Sequence, residues 1–181
     1  MRSVAAIAVA LTSALALVAP AAPAQSARLQ RRDALEGAVV REMNRVRLAH
    51  GLAALRVSPS LRAAARGHSR SMLQLGFFGH DSADGTAFSE RIRRHYSSKG
   101  WRMWSVGEAL LASEGREMNA HAIVAAWLES PPHREIVLSP TWREAGIGAL
   151  YASSAPNEYG GAATIVVTAD FGLRDGKISL S

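Results

Sequence analysis

Apolar residues recur at helical spacing through the first half of the chain after its N-terminal segment. A helix is predicted to begin at Asp33, because the apolar positions that follow lie three and four residues apart. Gly51 can end it in a left-handed conformation. Ser58 and Pro59 are a cap and a first-turn proline, so they open a second helix that ends at Gly76. The N-terminal half is therefore predicted to be helical.

A double proline separates two further helices in the second half of the chain. Residues 86–95 have the pattern of a short helix, and a longer helix is predicted to end at Glu129. Pro131 and Pro132 cannot continue that helix, but prolines are well tolerated in a first turn. Ser130 is therefore predicted to cap a new helix.

Two strands are predicted near the C-terminus. Residues 146–151 and 163–171 are rich in β-branched and small apolar residues, and both of their faces are apolar. A sheet with two apolar faces is covered on both sides. Residues 97–104, which carry exposed charge and two tryptophans, are predicted to form a loop.

The ends of the chain are predicted to lie outside the folded domain. Residues 1–24 combine a basic start, a short apolar run and a small-residue cleavage pattern, which is typical of a secretory signal peptide. The alternative, a membrane anchor, is less favoured because the apolar run is short for a span. Residues 25–32 are interpreted as a polar linker, 33–173 as one domain and 174–181 as a flexible tail, so the mature chain has no predicted transmembrane segment.

Composition narrows the possible chemistry and partners. The chain has no cysteine, so any metal would be held by His, Asp and Glu. The net charge of +6 is carried almost entirely by arginine. A basic protein can bind nucleic acid, anionic lipid or an acidic wall polymer. The arginines are scattered and not interleaved with aromatic residues, so a nucleic-acid partner is not favoured.

Five histidine or glutamate positions stand out as candidates for a site. His68 falls on the apolar face of the second helix, where a buried, hydrogen-bonded histidine is the expected interpretation. His80 follows two phenylalanines and a glycine, and Glu108 lies among apolar residues, where a carboxylate needs a partner. His133 falls in the first turn of a helix, which favours the neutral imidazole, and Glu129 is a carboxylate close to it in sequence.

Seven segments of this sequence occur in an order that resembles the CAP superfamily. They are Asn44 to Leu55, Leu61 to Met72, Phe78-Gly79-His80, Glu90-Arg91-Ile92, Val106-Gly107-Glu108, Trp127 to Arg134, and Gly146-Ile147-Gly148. The superfamily, also called the SCP domain, contains cysteine-rich secretory, antigen 5 and pathogenesis-related proteins. The resemblance covers about residues 35 to 172 and is greatest to the cysteine-free, secreted bacterial branch.

The resemblance implies both a fold and a candidate site. The implied fold is α+β, an α-β-α sandwich in which helices cover both faces of a small antiparallel sheet. Its central cavity gathers two histidines and two glutamates that can hold a divalent metal such as zinc. His80, Glu108 and His133 match three of these positions. The fourth falls on Ser130, with Glu129 as the neighbouring carboxylate.

Two functions remain open from the sequence. The first is an exported, secreted or periplasmic binding module for a lipid, a cell-envelope polymer or a protein. The second is a metal-assisted, peptidase-like hydrolase in which His80, Glu108 and His133 surround a water molecule. The same three residues could instead form a hydrogen-bonded structural knot. The absence of a serine or cysteine nucleophile pattern argues against acyl-enzyme chemistry, and a nuclease is suggested by charge alone.

Overall fold

A computed structural model describes residues 28–178 of the chain. The elements are β1 (Leu29–Arg31), α1 (Asp33–Ala49), β2 (Arg56–Val57), α2 (Pro59–Leu75), α3 (Phe88–Arg93), β3 (Trp101–Glu114), α4 (Ala120–Glu129), α5 (Pro131–Val137), β4 (Glu144–Ala152) and β5 (Thr164–Lys177). A 3-10 turn, Asn157–Tyr159, lies between β4 and β5. The predicted signal peptide lies outside the described residues.

One sheet runs through the middle of the domain. Its strand order is β1-β4-β5-β3, with all these neighbours antiparallel, and the short β2 pairs in parallel with the start of β4. The pairing of β3 with β5 runs from Trp101 opposite Lys177 to Glu114 opposite Thr164. Within this pairing, Glu108 stands opposite Asp170. Residues directly opposite each other point to the same face of a sheet.

Helices cover both faces of the sheet, as the α-β-α sandwich requires. Alternate strand residues pack against α1 and α4 on one face, and they include Ile147, Ala149, Ile165, Val167, Ala169 and Phe171. The intervening residues of the same strands, such as Leu150 and Val166, pack against α2 on the other face. The α+β fold class predicted from the sequence is confirmed.

Two glycines of β4 bring α2 unusually close to the sheet. A Cβ atom added to Gly146 would lie 2.0 Å from the backbone nitrogen of Arg62, and one added to Gly148 would lie 2.3 Å from that of Arg66. The backbones therefore touch where any other residue would collide. Ser69 secures the contact, because its hydroxyl donates to the Gly148 carbonyl at 2.9 Å.

The predicted ends of the first two helices hold, and α1 begins without a side-chain cap. Ser58 caps α2 by accepting from the Leu61 N–H, and Gly76 ends this helix with φ +69°. The residue that precedes α1 is Arg32, with no side-chain cap, and Asp33 already belongs to the helix. Asp33 instead forms an ion pair with the Arg66 guanidinium across α1 and α2.

The sheet takes up three segments that the sequence analysis placed elsewhere. Residues 29–31 of the predicted linker form β1, and 101–104 of the predicted loop begin β3. The first four residues of the predicted tail, 174–177, continue β5. Their polar residues hid them, because the pairing that makes these segments strands is long-range and leaves no signal in the local sequence.

Candidate functional site

Glu108 is the centre of the site. It lies on β3 with only 2% of its surface exposed. His80 Nδ1–H donates to its Oε1 at 2.9 Å, and the Arg91 guanidinium donates to its Oε2. The buried carboxylate therefore has two partners, a histidine on one oxygen and an arginine on the other.

Asp170 faces Glu108 from the neighbouring strand. It is fully buried, and neither of its oxygens has a hydrogen-bond partner among the described residues. The Arg91 Nη1 atom lies 3.9 Å from Asp170 Oδ2. Burial, and then the negative charge of Glu108, raise the pKa of Asp170 well above its usual value.

The two carboxyl groups therefore take different protonation states. Burial alone would raise the pKa of Glu108, but the hydrogen bond from His80 and the positive charge of Arg91 outweigh it, so this pKa is lowered. The lowered pKa favours the ionised form of Glu108, and the raised pKa favours the protonated form of Asp170. One guanidinium then balances one negative charge, which makes the buried cluster tolerable.

His80 presents its ring at the surface of this cluster. Its side chain is half exposed and lies beside Phe88, with 6.2 Å between the ring centroids. The hydrogen bond to Glu108, together with the charge of Glu108, raises the pKa of His80 against the effect of burial. Because Nδ1 is bound to Glu108, Nε2 is the ring nitrogen available to a ligand.

His133 lies near His80 without joining the hydrogen-bonded cluster. It is half-buried in the first turn of α5, and no hydrogen bond links it to Glu108 within residues 28–178. Burial, and then the positive charge of His80, lower the pKa of His133. The direction agrees with the neutral imidazole predicted from the sequence.

Neither candidate for the fourth position joins the cluster. Ser130 stands between α4 and α5, and its side chain makes no capping hydrogen bond. Glu129 is exposed and pairs with no basic side chain of the described chain. The corner between the two helices therefore orients α5 and brings His133 towards His80.

A pocket of about 290 Å³ opens beside His80 and is called the His80 pocket here. Its lining residues are His80, Phe88, Val106, Gly107, Glu108, Ile136 and Trp142. A Cβ atom on Gly107 would lie 2.7 Å from the Trp142 ring, so the glycine lets this ring lie flat against β3. The Trp142 indole N–H donates to the Ile136 carbonyl at 2.9 Å, which fixes the far wall.

The predicted zinc site does not fit these side chains. Within residues 28–178 no three His, Cys, Asp or Glu residues are grouped so that they could hold one metal ion. Both oxygens of Glu108 are already engaged, and the Arg91 guanidinium supplies the positive charge that a metal would bring. His80 and Glu108 thus form an ion-paired cluster with Arg91, and His133 is not bonded to it in the described part of the chain.

Sequence reasoning missed two members of the cluster and interpreted a third correctly. Arg91 lies in one of the seven matching segments but was given no role, although the buried Glu108 needed a partner. Asp170 was visible as a carboxylate inside an apolar strand, which is a costly place for a charge. His68 is buried, as predicted, and donates from Nε2 to the Gly79 carbonyl at 2.8 Å.

Comparison with known proteins supports the resemblance that the sequence suggested. The family model described as "Cysteine-rich secretory protein family", CAP, matches residues 40–171. No curated protein matches the chain. Several solved structures do.

Two of these structures show the same fold. An extracellular SCP-domain protein from Bacillus anthracis is 23% identical with a TM-score of 0.60, and the match covers 79% of this chain and 41% of that one. An outer surface protein from Borrelia burgdorferi is 19% identical with a TM-score of 0.62, and the match covers 82% of this chain and 99% of that one. This chain thus spans less than half the length of the Bacillus protein. In the described part of the chain, no helix is both long and apolar enough to cross a membrane.

Proposed function

The chain belongs to the cysteine-rich secretory protein (CAP) family, and from the His80 pocket we propose that it is an exported binding protein for an amphiphilic lipid. Two relatives in fold are described as extracellular or outer surface proteins. Together with the predicted signal peptide over residues 1–24, this supports a secreted or periplasmic location.

The observation that carries the proposal is the contrast between the walls of the pocket and its mouth. Phe88, Val106, Ile136 and Trp142 provide an apolar surface, and Glu108 is shielded behind its two partners. The polar group that remains available to a ligand is the half-exposed His80 ring. A mostly apolar pocket with one placed polar group is the usual form of a site for a small apolar ligand.

His80 is suited to hold a polar head group. Its Nδ1–H is directed to Glu108, so in the protonated ring Nε2–H is free to donate to a carboxylate or phosphate oxygen. Because the pKa of His80 is raised, the protonated ring persists to a higher pH than in an ordinary histidine. An acyl chain against the apolar walls and an acidic head at His80 would satisfy both halves of the pocket.

The same geometry gives less support to a hydrolase. A carboxylate that orients a histidine is the arrangement of a general base, but His80 contacts no serine or threonine hydroxyl in residues 28–178. A metal-bound water would need ligands that the ion pair between Arg91 and Glu108 already engages.

Native mass spectrometry of the protein purified from its own host tests this function. We expect bound lipid of low mass in the wild type, identified after extraction, and its loss in an Ile136→Trp variant whose larger ring fills the pocket. An Ala126→Trp variant, at an exposed position of α4, is the matched control and should retain the lipid. Equal lipid in both variants would count against the proposal.

A further inference from the structure

The start of β3 and the end of β5 form a two-stranded ribbon, and residues 97–104 and 174–178 are called the distal ribbon here. Two large apolar side chains are open to solvent on it, since Met103 is 55% exposed and Ile178 is 44% exposed. The Ile178 N–H donates to the Gly100 carbonyl at 2.9 Å, which holds Ile178 at the turn that precedes β3. The two side chains therefore lie at the same end of the sheet.

Basic side chains share this end of the sheet. The chain has two lysines, Lys99 and Lys177, and both are exposed in the distal ribbon, as is Arg102. Among residues 28–178, no carboxylate forms an ion pair with any of these three side chains. The acidic residue of the distal ribbon is Asp175, whose Oδ1 accepts from the Gly176 N–H at 2.8 Å. The distal ribbon thus combines exposed apolar groups with a net positive charge.

Trp101 has a polar group that no protein acceptor takes up. It is half-exposed and stands opposite Lys177 in the ribbon. The indole N–H groups of Trp104, Trp127 and Trp142 each donate to a backbone carbonyl. That of Trp101 donates to no acceptor within the described chain. An apolar ring with a free N–H is suited to the boundary between water and hydrocarbon.

Arginine side chains already cover the tryptophan rings of the distal ribbon. The Arg93 guanidinium lies 4.7 Å from the centre of the Trp104 ring, and that of Arg174 lies 5.3 Å from the Trp101 ring. Nucleic-acid bases bind single-stranded sites by stacking on open aromatic rings, and these contacts reduce the surface on which they would stack. The apolar groups that remain most exposed are aliphatic.

We propose that the distal ribbon docks the protein on an anionic lipid bilayer. Anionic lipids attract basic side chains to the membrane surface. Lys99 and Lys177 can keep their ammonium groups at the phosphates while their methylene stems lie along apolar surface. Met103 and Ile178 would then leave water, which is the favourable direction for an apolar group. A soluble acidic polymer would pair with the lysines but would leave these two side chains exposed.

Docking in this way would bring the His80 pocket close to the bilayer. Val106 lines that pocket and follows Met103 by three residues on β3, a rise of about 10 Å along the strand. The docking surface and the pocket share no residue, because the distal ribbon ends at Trp104 on this strand. Docking therefore goes beyond the proposed lipid site and does not depend on whether that site is filled.

Co-sedimentation with lipid vesicles tests the docking. The protein purified from its own host is mixed with vesicles of phosphatidylcholine alone and with vesicles of equal parts phosphatidylcholine and phosphatidylglycerol. We expect much tighter binding to the vesicles that contain phosphatidylglycerol, accompanied by a blue shift of tryptophan fluorescence. The shift should be absent in Trp101→Phe, since the other three tryptophans do not contact the bilayer.

Two double variants separate the contributions of charge and apolar surface. Lys99→Gln with Lys177→Gln should weaken binding by about tenfold or more, because both lysines lie at the anionic surface. Met103→Gln with Ile178→Thr keeps the charge and should also weaken binding by about tenfold or more, because less apolar surface leaves water.

The matched control for the lysines removes the same charge from elsewhere. Arg41 and Arg70 are exposed on α1 and α2, and neither forms an ion pair in the described chain. Arg41→Gln with Arg70→Gln should therefore bind vesicles as the wild type does. Ile136→Trp, which fills the His80 pocket, should do so too, so failure of the lipid site and failure of the docking appear in different experiments.

Four results would overturn the proposal. Equal binding to both kinds of vesicle would remove the role of anionic lipid, and equal loss in the lysine and arginine variants would remove that of the distal ribbon. Wild-type affinity in Met103→Gln with Ile178→Thr would identify a site for soluble polyanions instead. Loss of vesicle binding in Ile136→Trp would assign the contact to the His80 pocket.

Discussion

Glu108 and Asp170 stand opposite each other on β3 and β5, and their pKa values are shifted in opposite directions, that of Glu108 down and that of Asp170 up. Arg91 separates their roles, because it donates to Glu108 at hydrogen-bond distance and reaches Asp170 only at 3.9 Å. The buried cluster thus holds one negative and one positive charge. This relationship sets the pH dependence and the stability of the site.

The raised pKa of Asp170 predicts how an Asp170→Asn variant responds to pH. The folded state keeps a proton that the unfolded state releases above its ordinary pKa of 3.8. The stability that Asp170 contributes is therefore full below that value and falls as the pH rises towards the folded pKa. Asparagine does not titrate, so the stability of Asp170→Asn relative to wild type should increase above pH 3.8, by up to about 1.4 kcal/mol per pH unit.

Urea unfolding of both proteins across this pH range measures the difference. A difference that stays level with pH would show that Asp170 titrates alike in the folded and unfolded states.

The two arginines of α3 are predicted to differ sharply in their contribution to stability. Arg91→Gln leaves the buried Glu108 without its cation and should cost about 3–5 kcal/mol. Arg93 pairs with Glu90 at the surface, at 3.1 Å, so Arg93→Gln should cost about 1 kcal/mol or less. Denaturant unfolding of the two variants gives both values. Similar losses would mean that the Glu108 cluster is not the main electrostatic contact of this helix.

Gly148, where β4 meets α2, and Gly67, on the exposed face of α2, are predicted to respond in opposite ways to substitution by alanine. Gly148→Ala forces a methyl group against the α2 backbone, where the Cβ atom would lie 2.3 Å from the Arg66 nitrogen, and should cost more than about 2 kcal/mol. Gly67→Ala meets nothing within 4 Å and should stabilise the helix by about 0.5–1 kcal/mol. Thermal unfolding should move the Tm down for the first and up for the second.

The proximity of His133 to His80 can be tested by titration. Since burial and the charge of His80 both lower the pKa of His133, a His80→Ala substitution should raise that pKa while leaving it below 6.5. NMR titration of the imidazole signals measures it. His121→Ala is the control, because His121 pairs with Glu42 on the surface at 3.0 Å and should not affect His133. If the pKa of His133 is unchanged in His80→Ala, the charge of His80 does not act on His133.

Local signals in the sequence were sufficient for the helices, and the class of fold followed from the family resemblance. Ser58-Pro59 and Gly76 mark the ends of α2 through backbone chemistry that depends on no distant contact. The start of β3 was missed, because its pairing with β5 is long-range and the local sequence carries no signal of it. Long-range pairing is the part of the fold that periodicity cannot supply.

The candidate site was predicted only in part, because its remaining contacts also join residues that are distant in sequence. Of the residues recognised from short motifs, His80 and Glu108 are hydrogen-bonded to each other, whereas His133 makes no hydrogen bond to either of them within residues 28–178. Arg91 was not foreseen, because which of many arginines reaches a buried carboxylate depends on how α3 lies across the sheet. Its guanidinium forms an ion pair with Glu108, the carboxylate that the predicted metal site would have used as a ligand. For this reason we propose ligand binding rather than metal-assisted hydrolysis as the function.

The most direct test of the lipid-binding function is a titration of the ¹⁵N-labelled protein with dodecanoate, a fatty acid with one acidic head group. We predict one saturable site, with shifts at His80, Val106 and the Trp142 indole. Ile136→Trp should weaken it by about tenfold or more, and wild-type binding should weaken as the pH rises through the His80 pKa. Shifts away from the His80 pocket, or affinity that neither Ile136→Trp nor pH alters, would contradict it.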